Sequence, residues 1–219
     1  MALLANTQAM LERVYGFGSL FCVEDFLVTD RAIVERLESS ESARDCDEKL
    51  LLAQDEFGLE MSLFIDAKLL ARLGADDPSA QLNDLNLPDF CTALEGVSHF
   101  LYVTHRAAAD RQLSLAELEL QAEVDKYIGV HVTLAEQGLA GAPRRVLQRL
   151  FEQVHFDPNL SASEKDRYDV ANRYAGRYCN HLERYYLGRS PLSLSNELRH
   201  FYGLSHRDKL HHIDSIARL

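Results

Sequence analysis

Tryptophan is absent from this chain, cysteine occurs four times, proline five and glycine eleven. So little glycine and proline excludes a collagen-like or low-complexity chain. Cys22, Cys46, Cys91 and Cys179 form no Cys-x-x-Cys pair, which excludes a zinc ribbon or a thioredoxin motif. They read as small buried hydrophobes of a reducing compartment. No apolar run approaches the ~18 residues of a membrane span. The opening Met1-Ala-Leu-Leu-Ala-Asn-Thr-Gln8 has neither a basic stretch nor a small-residue cleavage site. A cytoplasmic location without membrane contact is therefore expected. Glycine-rich phosphate loops, a GxSxG elbow and an HExxH string are also missing, which argues against P-loop, α/β-hydrolase and zincin chemistry.

What is present is an acidic chain of 219 residues, 47% hydrophobic and 26% charged, with a net charge of −11. That suits one core-bearing domain, or one with a small appendage, and disfavours nucleic acid as a partner. The charge is uneven. Residues 1–139 hold 10 Lys and Arg against 25 Asp and Glu, whereas residues 140–219 hold 13 against 9. Eleven of those 13 cations are arginine, and six of the nine histidines lie with them. Basic and acidic portions either dock on each other or present the basic part to an anion.

The pattern predicts an α+β, mainly α fold in two units. The first, 1–87, carries a helix over 2–15, a strand over 20–28, a short helix from Arg31 capped by Thr29 or Asp30, and a polar loop to Asp47. Lys49–Gln54 and Leu59–Ile65, joined by a turn with Gly58, alternate with period two and read as a hairpin. With 20–28 they make a small three-stranded antiparallel sheet. Asp66 then caps a helix that Gly74 ends. The second unit, 88–219, reads as a bundle of about six helices: 88–110, 114–137, 143–155, 162–187, 193–202 and 206–217. Ser114-Leu-Ala-Glu117 matches a capping box, and the short Arg111–Leu113 link makes the first two an antiparallel pair.

On the 88–110 helix, Glu95, His99, Tyr102 and Arg106 recur at i, i+4, i+7 and i+11, a narrow polar stripe on a largely apolar rod. His131 falls inside the apolar face of the next helix, level with residue 93. Arg106 is level with Glu117 and Glu119. Glu119, Glu123 and Lys126 read as a solvated face. Two readings follow. Glu95, His99 and His131 form a buried catalytic cluster able to hold a metal or move a proton. Alternatively, the stripe only satisfies packing, with Arg106 meeting Glu117.

Metal motifs are weak. Glu152-Gln-Val-His155 and Glu197-Leu-Arg-His200 match one half of a di-iron pattern, but chance alone supplies roughly 0.7 such strings in this composition. Arginine followed four to six residues later by histidine is equally uninformative. His206, His211 and His212 read as a solvated end, because adjacent residues on a helix diverge. No cofactor or metal is specified by any of these strings.

The most distinctive stretch is Arg167 to Tyr186, with four Arg-Tyr dipeptides. Arg173, Arg177 and Arg184 align along one helix side beside Asn180 and His181. Arginine forks next to tyrosine faces suit phosphate or carboxylate, and Arg144, Arg145 and Arg149 extend the basic surface. Tyr102 and Arg106 complete the candidate ligand-binding set. The favoured expectation is a binding or regulatory protein that recognises an anionic partner, meaning an acidic protein segment, a nucleotide or a nucleic-acid backbone. The alternatives are a helical, metal-dependent enzyme built on the Glu/His cluster, and a structural subunit of a homo-oligomer.

Overall fold

The computed structural model describes residues 2–37, 46–54, 56, 58–139, 143–152 and 160–216. Most of the expected 39–47 loop, Asp55 and Phe57 of the hairpin turn, the ends of the 143–155 and 206–217 helices, and His155 lie outside the described residues, as does the Arg144 side chain.

Helix α1 (Ala2–Tyr15) buries Leu4, Met10, Leu11 and Tyr15 and ends at Gly16, whose φ of 69° suits a residue without a Cβ. The stretch expected as the first strand is mostly something else. Val23–Phe26 is a 3₁₀ turn, Leu20 is 96% exposed, and only Leu27–Val28 (β1) is extended. Asp30 accepts the Ala32 N–H and opens α2 (Arg31–Leu37). β2 (Glu48–Gln54) and β3 (Leu59–Ile65) pair antiparallel from Glu48 opposite Ile65 to Gln54 opposite Leu59. β1 lies on the other side of β3 and runs parallel to it, Leu27 opposite Leu63. The sheet is therefore mixed, not antiparallel. A two-residue strand entering through a 3₁₀ turn takes its direction from the core packing of Val23 and β3, which local periodicity does not encode. Asp66 caps α3 (Ala67–Ala75), accepting from the Lys68 and Leu69 amides.

Pro88 sits in the first turn of α4 (Leu87–Ala108), and Ser114 caps α5 (Leu115–Glu136), accepting the Glu117 amide at 3.1 Å. Gly138, at φ 74°, follows α5. After it come α6 (Pro143–Leu147), a π-helical turn over Gln148–Glu152, α7 (Ala162–Tyr185) with a full Ser161/Glu164 capping box, α8 (Pro191–Gly203) and α9 (His206–Ile216). Among the described residues there are nine helices, three before residue 87 and six from Leu87 onward.

α5 is the hub. It packs against α4, α7, α1 and α6, and almost every residue from Glu117 to Val130 is buried. A Cβ at Gly129 would collide with Leu94, so glycine there lets α4 approach closely. One continuous core joins Leu63 and Ile65 of β3, Leu94, Val97 and Leu101 of α4, Leu120 and Val124 of α5, Tyr178 and Leu182 of α7, and Phe201 of α8. No helix among the described residues is long and apolar enough to cross a membrane.

Candidate functional site: a carboxylate and histidine cluster

The polar stripe of α4 faces α5, and the antiparallel register brings two buried clusters together along it. At one end, Tyr102 Oη donates to Glu117 Oε1 at 2.6 Å, and the Arg106 guanidinium donates to the same carboxylate and to the Leu204 carbonyl. Nearby, Asp125 accepts from Tyr15, from Gln121 and, at 2.5 Å, from Ser98. Lys209 of α9 is fully buried. Its ammonium donates to Gln121 and lies 4.4 Å from the Tyr102 ring centre and 4.9 Å from that of Phe201. Burial pulls the Lys209 pKa down to about 7 despite Glu117 and Asp125. Two acids here face two bases, so this cluster is balanced and reads as packing.

The other end is not balanced. Glu95 and His99 of α4 meet Glu48 at the start of β2 and Glu119, Glu123 and Lys126 of α5, with Arg167 of α7 on the rim. Lys126 Nζ donates to Glu95 Oε2 at 2.9 Å and to Glu123 Oε1 at 2.7 Å. His99 Nδ1 stands 3.3 Å from Glu48 Oε1 and its Nε2 stands 3.7 Å from Glu119 Oε2. Arg167 Nε is 3.8 Å from the other Glu119 oxygen. Among the described residues, buried His99 Nε2 and Arg167 Nε both lack a hydrogen-bond partner. Gly96 makes room for this arrangement: a Cβ there would come within 2.9 Å of Glu48 Cγ.

Charge explains the strain in the group. Among the described residues, four carboxylates face two permanent cations, which leaves a surplus of two negative charges when the imidazole is neutral. Without a further cation, protons must make up the balance. Burial opposes a charged His99, but the carboxylates of Glu48 and Glu119 outweigh it and hold the ring well above the usual histidine range. Burial raises the Glu48 carboxyl even against His99, and raises that of Glu123. Burial, aided by Glu123 and Glu95 and opposed by Lys126, pushes the adjacent Cys91 thiol up to about 12, which leaves it inert as a nucleophile.

Donor atoms of Glu48, Glu95 and His99 lie within 4.8 Å of one another, the spacing of ligands around one ion. Charge-assisted hydrogen bonds usually span ~2.7–2.9 Å. Two donors bonded at ~2.0–2.2 Å to one small divalent ion stand roughly 3–3.5 Å apart. The 3.3 Å between His99 Nδ1 and Glu48 Oε1 is a long hydrogen bond and also falls within the spacing of two ligands on one ion. Glu119 Oε2 lies on the side of the far nitrogen, where a metal-bound imidazole finds its orienting carboxylate, but at 3.7 Å it stands beyond hydrogen-bond distance.

Of the residues singled out by sequence, Glu95 and His99 are therefore together. His131 is not with them: it stacks on Tyr127 at 6.3 Å, and burial lowers its pKa. It lies roughly 140° around α5 from Lys126, which faces Glu95. Tyr102 and Arg106 are interior and engaged with Glu117. On α7, Arg173, Asn180 and Arg184 are exposed, Arg177 pairs with Asp214 at 2.9 Å, and half-buried His181 rests between the rings of Tyr185 and Tyr186. His212, expected in solvent, has its Nε2 2.8 Å from Glu197 Oε1, the carboxylate accepting.

Glu48, Glu119, Glu123, Lys126 and Arg167 were not marked from sequence as part of a site. Glu119, Glu123 and Lys126 repeat the i, i+4, i+7 spacing of Glu95, His99 and Tyr102. Matching stripes on two antiparallel neighbours are a signal that the two stripes face each other. Scans against protein-family models, curated proteins and solved structures find no match to the chain.

Proposed function

We propose that the protein is a metal-dependent helical enzyme whose divalent ion is held by Glu48, Glu95 and His99, with Glu119 orienting the imidazole. The observation that carries this reading is the convergence of those three donors in a cluster whose described residues hold four carboxylates against two permanent cations, an excess that one divalent ion offsets once the imidazole is neutral. Carboxylate oxygens with a single imidazole favour Mn²⁺, Fe²⁺ or Zn²⁺ over soft-ligand metals. Three protein donors leave coordination positions for water, and a bound divalent ion supplies water activation for hydrolysis. Glu95 and Arg167 are the wetter edge, with side chains 21% and 23% exposed. Arg167 beside that edge suits an anionic substrate.

Calorimetric titration of metal-free protein with Mn²⁺ and with Zn²⁺ tests the reading. One saturable site per chain is expected, lost in His99→Ala and in Glu95→Gln while both variants stay folded. Absence of saturable binding, or equal binding by the variants, rejects it.

A second reading keeps the basic helix as a recognition surface, on a narrower footprint. Arg173 and Arg184 are exposed and lie against Tyr174 and Tyr185, at 5.7 and 6.0 Å from the ring centres. It requires salt-sensitive binding of an acidic polypeptide such as polyglutamate, abolished in an Arg173→Glu/Arg184→Glu variant.

A further inference from the structure

We infer a ligand site for an aliphatic carboxylate in the cavity between α5, the turn preceding α4 and the π-helical turn after α6. It is separate from the carboxylate and histidine cluster and does not depend on the metal reading. The cavity holds about 580 Å³, within the ~300–1,000 Å³ range of small-molecule sites. Among the described residues its apolar walls are leucine and valine, chiefly Leu87, Val130, Leu134 and Val146. Among the described residues no ring lines it to stack a planar base, so an alkyl chain is the apolar body that fits.

The mouth selects charge. Among the described residues, Arg145 and Arg149 line it against a single acid, Asp84. In a chain of net charge −11 such a local excess of arginine draws anions. Arg149 reaches Asp84 Oδ1 at 3.1 Å, but the two side chains are 42% and 81% exposed. A pair so wet contributes little, and a ligand carboxylate can replace Asp84 on the guanidinium. Gln148 and Arg149 come from the π-helical turn. Such turns are rare and gather at functional sites, because the widened turn re-aims its side chains.

Calorimetry of the full chain with decanoate, below its micellar concentration, tests the inference, with decyltrimethylammonium as the cationic counterpart. Decanoate is expected to bind once per chain and the ammonium not at all. Arg145→Glu/Arg149→Glu should weaken decanoate by about tenfold or more, and Asp84→Ala should tighten it by removing the competitor. If the double variant fails to fold, the direction of the Asp84→Ala change still decides. No saturable decanoate binding, equal binding of the ammonium, or unchanged affinity in the variants overturns the inference.

Discussion

At the scale of single residues, the two clusters on α4 differ in what removing a side chain does. Arg106 neutralises buried Glu117, so Arg106→Met strands a carboxylate and should cost about 3–5 kcal/mol in urea unfolding; a loss within error would contradict a Glu117 that depends on this guanidinium. Lys209 gives a pH test. Its folded pKa of about 7 lies below the unfolded value of 10.5, so between those values the unfolded chain binds more protons. Stability contributed through Lys209 therefore rises with pH from about 7 towards 10.5 and is lost as pH falls through 7. Lys209→Met should flatten that rise, so that the variant compares best with the parent at pH 6 and worst at pH 9. An unchanged difference at the two pH values would contradict a titrating buried lysine. The Arg106–Glu117 pair was legible because a short link fixes the register of the helix pair. The roles of Glu119, Glu123 and Lys126 were not, because a charged stripe reads as a wet face unless a third partner covers it, and Glu48 arrives from a strand far away in sequence.

At the scale of elements, two glycines set the approach of their neighbours. Gly129→Ala drives a methyl into Leu94 and should destabilise by about 1–3 kcal/mol in chemical unfolding. Gly96→Ala instead pushes Glu48 away from His99, so it should weaken metal binding more than it lowers stability; full affinity in that variant would remove Glu48 from the ligand set. The hairpin was legible because alternation and a glycine turn are local signals. The parallel pairing of Leu27–Val28 was not, since it is decided by core contacts of a segment too short to show a period. Helix ends marked by Ser114, Gly138 and Pro88 were legible for the same local reason.

At the scale of the whole molecule, the charge asymmetry is used partly inward. Arg149 and Arg167 of the basic portion reach Asp84 and Glu119 of the acidic one, while Arg173 and Arg184 stay outside. α5, wrapped by helices on most sides, turns what would be its wet face into the floor of a cluster with more acid than base. Binding of one ion there should stabilise the whole fold by about 2.7 kcal/mol at a hundredfold excess over Kd, read as a rise in the thermal midpoint. The most direct measurement is a Co²⁺ titration of the metal-free protein followed by visible absorption. A ligand-field band that saturates at one Co²⁺ per chain, and is absent in His99→Ala, is expected from a centre of Glu48, Glu95 and His99. A featureless titration, or an identical band in that variant, would contradict it.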